Sequence, residues 1–400
     1  MEASKRPSLL IIFLTVFIDL VGFGIVMPLL PIYSRQFDAG GLLIGAIMAS
    51  FSIMQFLFAP IWGRWSDRIG RRPVLLVSLL GSTISYAMFA VASGQSSSSA
   101  LWWILISRIF AGICGANITV ASAYMADISD KENRSKRMGL VGMAFGLGFI
   151  FGPAIGSFSA NAFGLTGPGW VASAICLLNF LLACFVLKES RKPNVSPDST
   201  ELPKATRKGW SAALAHPQIR LLVGLFFIAT FCFACFETTL GLLLQDNFAY
   251  DQKKIGWFFT FCGFTSAMIQ GGLIGRLVKK YGERKLVVAS FFVFAAGLMA
   301  LPVAQSMTVL LISLALFAIG SGMNRPPTFG LISILTDDES QGSTLGVAQS
   351  AGSLARIFGP FFAGGMYEFG PRVPYWSCAA LALVFGIVAL VTLKSRPSTE

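Results

Sequence analysis

The feature that most constrains this chain is a series of twelve apolar runs, each long enough to cross a lipid bilayer as a helix. A helix needs about 20 predominantly apolar residues to cross a hydrocarbon layer roughly 30 Å thick. The runs lie at approximately 8–31, 41–62, 73–93, 101–125, 137–160, 168–187, 219–244, 254–278, 285–304, 307–333, 343–367 and 372–393. Since 54% of the 400 residues are hydrophobic and 12% are charged, polar side chains are too few to cover this apolar surface in water. The sequence therefore predicts an all-α polytopic membrane protein with twelve transmembrane helices, numbered below as spans 1 to 12.

The distribution of lysine and arginine predicts the orientation of these spans. Most of the 31 basic residues lie at the N-terminus and in the connections that follow even-numbered spans. The connections that follow odd-numbered spans carry only Arg35, Lys253, Lys254 and Arg372. Because positively charged loops stay on the cytoplasmic side, we expect both termini in the cytoplasm. The net charge of +12 is spread over short loops beside membrane helices, so it does not indicate a nucleic-acid-binding protein.

The chain also contains an internal repeat. The segment GRWSDRIGRRPVLL at 63–76 recurs as GRLVKKYGERKLVV at 275–288, and the Gly-Pro pair at 152–153 recurs at 359–360. Each copy covers six spans and begins on the cytoplasmic side, so the two halves are expected to form parallel repeats. The predicted parts are an N-terminal six-helix bundle at 1–187, a polar cytoplasmic linker at 188–218 and a C-terminal six-helix bundle at 219–400.

Four motifs occur in positions where one known family carries its signatures. They are DLVGFGIVMPLLP (19–31) in span 1, GRWSDRIGRRP (63–73) between spans 2 and 3, RIFAGICGAN (108–117) in span 4 and GLGFIFGPAIGS (146–157) in span 5. On these motifs the chain resembles the major facilitator superfamily (MFS fold), and within it the twelve-spanning drug:proton antiporters that include the tetracycline exporters.

The resemblance implies a secondary active transporter and not an enzyme. It implies proton-coupled multidrug efflux, in which amphipathic small molecules, drugs or metabolites, leave the cell by alternating access. It further implies a monomer in the lipid bilayer of a bacterial inner membrane, without a cofactor, with the transmembrane proton gradient as energy source. An alternative stays open: an MFS carrier for a defined organic anion, lipid or metabolite, which would use the buried arginines to bind an anionic group.

Metal and redox chemistry are not predicted. The seven cysteines all lie in apolar spans, and the chain has a single histidine. Cys232 and Cys235 form a CxxC pair, but no second pair accompanies it. This usage favours packing roles for the thiols over a metal site.

The loop between spans 2 and 3 holds a candidate conformational latch. Its members are Gly63, Asp67, Arg68, Gly70, Arg71 and Arg72. The glycines permit backbone turns, and the arginines anchor the loop at the cytoplasmic interface. The resemblance implies that Asp67 caps a helix N-terminus in the other half and so holds the outward-facing state, whereas the second copy of the repeat has Lys279 there. The alternative is a local salt bridge from Asp67 to Arg71 or Arg72.

Span 5 contains a small-residue face formed by Gly148, Gly152 and Gly156, and Pro153 is expected to bend the helix. In the family that the chain resembles, this signature marks antiporters. The alternative is a packing face that has no influence on the direction of transport.

Five ionisable residues are predicted inside the spans: Asp19, Arg108, Glu237, Arg325 and Arg356. A charge at the bilayer centre costs about 2.5 to 3.5 kcal/mol on insertion scales, so each is a functional candidate. Asp19, Arg108 and Glu237, the repeat counterpart of Asp19, are assigned to proton coupling, because a carboxylate that loses a facing guanidinium takes a proton more readily. The alternatives are a static Asp19–Arg108 ion pair, and for Glu237 a partner role toward Arg325 or Arg356 or toward a cationic substrate.

The predicted substrate-binding residues combine buried arginines, neutral polar side chains and aromatic rings. They are Arg356, Arg325, Gln55, Asn117, Asn324, Gln349, Phe23, Phe231 and Phe236. Aromatic rings offer an adaptable apolar surface to a large amphipathic ligand. The best-known tetracycline exporters carry a histidine in span 8 and an acid in span 9, where this chain has Ser266 and Phe294. A tetracycline–magnesium chelate is therefore not the expected substrate.

Overall fold

The computed structural model describes residues 9–95, 99–115, 117–128, 134–190, 214–336 and 341–393. Within these ranges the chain is almost entirely helical and contains no strand. A helix satisfies its backbone hydrogen bonds within one segment, which is the requirement for crossing a bilayer core that contains no water. The predicted all-α fold class is confirmed.

Contacts divide the chain into two compact units. The first consists of Met1–Val195 with Ala249–Thr260, and the second of Ser196–Phe248 with Phe261–Glu400. The bundle limits expected from the sequence stay a prediction, because most of the proposed linker at 188–218 lies outside the described residues.

Eight helices account for the first six spans. They are α1 (Leu9–Val26), α2 (Leu30–Gln36), α3 (Gly41–Ile69), α4 (Arg71–Ser93), α5 (Ser99–Cys114), α6 (Asn117–Asp127), α7 (Arg134–Phe163) and α8 (Gly167–Val186). Span 1 comprises α1 and α2, and span 4 comprises α5 and α6. The other spans are single helices.

Spans 7 to 12 follow the same plan. The helices are α9 (Pro217–Phe248), α10 (Gln252–Ala267), a π-helical turn (Met268–Leu273), α11 (Ile274–Tyr281), α12 (Glu283–Ala300), a 3₁₀ turn (Leu301–Val303), α13 (Met307–Ile334), α14 (Gln341–Glu368) and α15 (Val373–Thr392). Span 8 comprises α10, the π-helical turn and α11.

Ten helical segments in the described part of the chain have the length and apolarity of a membrane span. The 30-residue α7 and the 28-residue α14 occupy the positions of spans 5 and 11, and some of their side chains lie outside the described residues. Every one of the twelve predicted spans thus corresponds to helix in the structure.

Span 4 is interrupted after Cys114, and side chains from two neighbouring helices satisfy the carbonyl groups at the break. Gln55 Nε2 donates to Gly115 O at 2.9 Å, and Trp62 Nε1 donates to Ile113 O at 2.6 Å. Ser78 Oγ donates to Cys114 O at 2.5 Å. Since an unpaired carbonyl in a bilayer core is costly, these bonds explain how the chain tolerates a broken helix there.

Glycine allows close helix packing in both units. A Cβ atom on Gly152 of α7 would lie 2.6 Å from Gly24 Cα of α1, closer than real Cβ atoms approach. In the second unit, a Cβ atom on Gly359 of α14 would lie 2.8 Å from Ala234 Cβ of α9. The repeated Gly-Pro pair therefore marks the same close contact twice, between spans 1 and 5 and between spans 7 and 11.

Candidate functional site

The buried arginine of the first unit lies against aromatic rings. Arg108 of α5 is 0% exposed, and its guanidinium carbon lies 5.6 Å from the centre of the Tyr86 ring and 5.4 Å from that of Phe89. Its three guanidinium nitrogens make no hydrogen bond to the described residues. The rings stabilise the cation through cation–π interaction. None of the five N–H donors of the guanidinium group has an acceptor among the described residues.

Tyr86 of α4 connects the two predicted coupling residues of this unit. Asp19 of α1 is 9% exposed, and the Tyr86 side chain interacts electrostatically with both Asp19 and Arg108. A Cβ atom on Gly22 would lie 3.2 Å from Tyr86 Cε2, so the absence of a side chain at Gly22 lets this ring approach α1. Arg108 thus faces rings instead of the directly paired carboxylate expected from the sequence, and the coupling roles stay predictions.

Glu237 is the buried acid of the second unit. Its side chain is 6% exposed in α9, and its Oε1 atom accepts no hydrogen bond from the described residues. The neighbouring hydroxyl groups of Thr238 and Thr239 donate to carbonyl groups of their own helix, at 2.8 and 2.9 Å. Arg356 of α14 lies within electrostatic range of the carboxyl group.

The other arginine of the second unit is held by aromatic rings and one amide. The guanidinium carbon of Arg325 in α13 lies 6.0 Å from the centre of Phe226 and 5.6 Å from that of Phe329. Its NH2 group donates to Gln349 Oε1 at 3.5 Å, the long limit of a hydrogen bond. Arg325 and Arg356 are close enough to repel each other. The structure therefore brings together four predicted residues: Glu237, Arg325, Gln349 and Arg356.

The neutral polar candidates have structural partners. Gln55 pairs with the carbonyl group of Gly115 at the interruption of span 4. Asn324 is 5% exposed, and its Nδ2 donates to Ser290 Oγ of α12 at 2.9 Å. The side chain of Asn117 lies outside the described residues. Among the polar candidates whose side chains the structure describes, only Gln349 therefore bonds an ionisable residue of a span.

The three aromatic candidates differ in their surroundings. Phe23 packs against Phe51 with ring centres 5.0 Å apart. Phe231 lies 5.3 Å from Phe362. Phe236 is 2% exposed and stacks on Phe317 at 3.7 Å, so it belongs to the packed interior of the second unit.

The two positions that differ from the tetracycline exporters also have packing roles. Ser266 Oγ donates to Ala318 O at 2.9 Å, between α10 and α13. Phe294 is 3% exposed and stacks on Phe317 at 4.8 Å. Neither side chain offers an ionisable group to this interior.

In the loop between spans 2 and 3, Arg71 is the centre of a polar network. It is 7% exposed, and its Nε lies 3.0 Å from Asp127 Oδ2 at the end of α6. NH1 donates to Ser66 Oγ at 2.6 Å, and NH2 lies 2.8 Å from Asp67 Oδ1. The local salt bridge considered for Asp67 is present, and its role as a latch stays a prediction.

Glu189 caps the helix that follows this loop. Its Oε1 accepts from the backbone N–H of Arg71 at 2.8 Å, and its Oε2 accepts from that of Arg72 at 3.0 Å. A carboxylate at this position satisfies unpaired N–H groups at the start of α4 and favours the positive end of the helix dipole. Two other latch candidates lie in the last turns of α3. A Cβ atom on Gly63 would make an ordinary van der Waals contact with Thr119 at 3.8 Å, and Arg68 is exposed.

The small-residue face of span 5 packs on α1. A Cβ atom on Gly148 would lie 2.9 Å from Leu20 O, and one on Gly156 would lie 2.5 Å from Ile25 O. Pro153 lies inside α7 and is buried. The face thus serves close packing, and its influence on transport direction stays a prediction.

Sequence reasoning missed Glu189, Asp127 and Tyr86. Glu189 and Asp127 are acids just after the C-terminal ends of spans 6 and 4, next to loops rich in basic residues. That proximity was a usable signal, since a carboxylate among cations is expected to pair. Tyr86 carried no such signal, because an apolar span with one tyrosine does not show which face the ring lies on.

Two repeats of membrane-spanning helices, each with charged residues buried inside its spans, define a membrane transporter. The sequence matches the family model described as Major Facilitator Superfamily over residues 12–279 and 227–400. It is 36% identical over 359 residues to the Escherichia coli tetracycline resistance protein, class E, covering 88% of this chain and 86% of that protein. It is 28% identical to multidrug resistance protein 2 of Bacillus subtilis, covering 98% and 97%. The human organic anion transporter MFSD10 has a similar structure, with a TM-score of 0.70 and 25% identity over 95% of this chain and 98% of that one.

The chain belongs to the major facilitator superfamily, in a group related to tetracycline and multidrug efflux proteins. The resemblance drawn from the motifs is confirmed. The chain is a multi-pass membrane transporter.

Proposed function

We propose that this transporter is a proton-coupled exporter of amphipathic small molecules in a bacterial inner membrane. It works as a monomer with both termini in the cytoplasm, exchanges external protons for internal substrate by alternating access, and needs no cofactor besides the proton gradient. Its relatives named for tetracycline and multidrug resistance support this proposal.

The observation that carries the proposal is that each unit buries one acid in its first span. Asp19 is 9% exposed in α1, and Glu237 is 6% exposed in α9. An ionisable group in a dehydrated interior binds or releases a proton when its surroundings change, which is the chemistry that coupling requires. Each unit also places an arginine inside its spans, Arg108 in α5 and Arg356 in α14, and Arg356 interacts electrostatically with Glu237.

Everted membrane vesicles test the proposal. Acidification of the vesicle interior should drive accumulation of an amphipathic dye, and a protonophore should abolish it. The variants Asp19→Asn and Glu237→Gln should each lose this accumulation, because the amide cannot carry the proton.

Asp38→Asn is the matched control. Asp38 is an exposed carboxylate between α2 and α3 with φ +59°, a conformation that asparagine adopts readily. The Asp38→Asn variant should retain full accumulation of the dye. Proton-driven accumulation that survives in both buried-acid variants would contradict the assignment of those acids, and accumulation that is indifferent to the gradient would contradict proton coupling.

A further inference from the structure

The spans of the second unit hold more positive than negative charge in their interior. Arg325, Arg356 and Glu237 all lie well inside their helices, so two cations stand against one carboxylate. In the first unit, one cation, Arg108, stands against one carboxylate, Asp19. An excess cation in a low-dielectric interior is costly unless an anion accompanies it. The second unit is therefore electrostatically suited to receive a single negative charge.

Arg325 is prepared to supply hydrogen bonds to such an anion. It is partly accessible, and its single hydrogen bond within the described part of the chain is the long one to Gln349 Oε1, at 3.5 Å. A guanidinium group has five N–H donors in a planar fork that fits the oxygens of a carboxylate or sulfonate. Phe226 and Phe329 lie beside the group, with ring centres 6.0 and 5.6 Å from the guanidinium carbon, within the range of cation–π interaction.

Arg356 adds the second cation and ties the site to the buried acid. Arg356 follows Gln349 by seven residues in α14, about two helical turns, so both side chains lie on roughly the same face of that helix, the face that contacts Arg325. Its charge repels that of Arg325 and attracts that of Glu237. An anion placed near both arginines would relieve that repulsion and would compete with Glu237 for Arg356. Binding of an anion and the charge state of Glu237 are therefore linked through one side chain.

We propose that Arg325 and Arg356 bind the anionic group of the transported molecule, and that this molecule is an amphipathic monoanion with a flat apolar body. The body packs on the aromatic side chains that flank Arg325, and Gln349 orients the guanidinium fork. This inference rests on the proposed function, because it assigns a substrate class to the same transporter.

Binding to the purified full-length chain in a non-ionic detergent tests the inference without a proton gradient. The probe is 2-naphthalenesulfonate, and its neutral analogue 2-naphthalenesulfonamide has the same ring and nearly the same shape. Calorimetric titration should show binding of the sulfonate and at least roughly tenfold weaker binding of the sulfonamide. Equal affinity for the two compounds would overturn the proposal, because the charge would then contribute nothing.

Three substitutions identify the groups that respond. Arg325→Gln and Arg356→Gln should each weaken sulfonate binding by roughly tenfold to hundredfold, the value of a charge-assisted hydrogen bond. The control Arg372→Gln removes an exposed arginine at the start of α15 and should leave the affinity unchanged. Unchanged affinity in both Arg325→Gln and Arg356→Gln would overturn the assignment.

The variant Glu237→Gln tests whether Glu237 competes with the anion for Arg356 or has a purely structural role. The two roles predict opposite changes in the affinity for the sulfonate. Removal of the competing carboxylate should tighten sulfonate binding several-fold, whereas damage to the fold would weaken it.

If Arg325→Gln does not fold, Arg325→Lys takes its place. It keeps the charge but loses the planar fork, and a several-fold loss of affinity is expected.

A lipid head group carries the same single charge, and a competition arm separates this source from a transported acid. Saturating dioleoylphosphatidylglycerol should leave sulfonate binding largely intact. Complete displacement by this lipid would overturn the proposal, because the arginines would then hold a head group. No step of this binding experiment depends on proton-driven transport. Absence of sulfonate binding together with proton-driven dye export contradicts only this inference. Sulfonate binding without proton-driven dye export contradicts only the proposed function.

Discussion

The loops that follow spans 2 and 8 are copies of one motif with the same backbone turn. Gly70 has φ +101° and Gly282 has φ +78°, and each is followed immediately by a helix, α4 or α12. With ψ near 160°, both conformations lie in a region that is essentially restricted to glycine. The repeat thus preserves the turn in both halves.

The copies also share an arginine that contacts the last helix of the same unit. Arg72 NH2 donates to Cys184 O of α8 at 2.7 Å, and its counterpart Arg284 NH2 donates to Leu390 O of α15 at 3.2 Å. Each guanidinium satisfies a carbonyl near a helix C-terminus, where the helix dipole favours a cation.

The loops differ in how the following helix obtains a negative charge. Helix α12 begins with Glu283, so the favourable charge belongs to its own first turn. Helix α4 begins with Arg71 and Arg72, which are unfavourable there, and Glu189 supplies the carboxylate from 118 residues away from Arg71. The helix after the first loop therefore depends on a distant residue for its negative charge, whereas the helix after the second loop carries that charge itself. A repeat can thus keep its backbone turn and one arginine contact in both copies while only one copy recruits a distant carboxylate.

The largest expected difference between the two loops comes from removal of the centre of the network. Arg71→Gln breaks the contacts to Asp127, Ser66 and Asp67, and it leaves two acids without their shared cation. Since Arg71 is buried and both acids are partly exposed, we expect a loss of about 2 to 3 kcal/mol in the free energy of unfolding. Unfolding of the detergent-solubilised protein by heat and by denaturant would measure it.

The counterpart change in the second loop is Glu283→Gln. It removes only a favourable charge from the first turn of α12, which is worth about 0.3 to 1 kcal/mol. Equal losses for Arg71→Gln and Glu283→Gln would show that the first loop has no special network.

The two turn glycines give the next largest difference. Alanine at either position has a strained backbone, at a cost of about 1 to 3 kcal/mol. At Gly70 the new Cβ would also lie 2.5 Å from Glu189 Oε2, whereas at Gly282 it would meet nothing within 4 Å. Gly70→Ala should therefore destabilise the protein by about 1 kcal/mol more than Gly282→Ala, since it also displaces the cap. Thermal unfolding of the pair, measured side by side, checks this difference.

Glu189→Ala serves as the control for this pair. In its background the side chain that the new Cβ would meet is absent, so the two alanine variants should become nearly equal in cost. A difference that persists undiminished would mean that contact with Glu189 is not its cause.

The fold was largely predictable because apolar length and charge distribution are read directly from sequence. The twelve runs and the repeat gave the all-α architecture, and the Gly-Pro pairs marked the close helix contacts seen at Gly152 and Gly359. The interruption after Cys114 was not predicted, because it depends on hydrogen bonds from Gln55, Trp62 and Ser78, which lie far away in sequence.

The candidate site was predictable only in part. A charged residue inside an apolar span is visible in the sequence, so Glu237, Arg325 and Arg356 were predicted. The side chains that contact them depend on how each helix is rotated about its axis, which the sequence does not show. Sequence placed Asn324 and Phe236 at a binding surface, whereas Asn324 bonds Ser290 and Phe236 stacks on Phe317. Polarity or aromaticity alone does not say whether a side chain faces a cavity or a neighbouring helix.

The smallest expected difference in stability between the two loops comes from Asp67, the position at which the second copy has Lys279. The Asp67 side chain is 52% exposed and pairs with Arg71 at 2.8 Å, so Asp67→Asn should change the free energy of unfolding by less than about 1 kcal/mol. If Asp67 also holds one face of the carrier shut, proton-driven dye accumulation in everted vesicles should fall roughly fivefold or more despite this small change. Lys279→Asn, the matched change in the second loop, should alter neither quantity. Undiminished accumulation in Asp67→Asn would leave the local salt bridge as the whole role of this carboxylate, because a latch that can be removed without effect on transport does not control it.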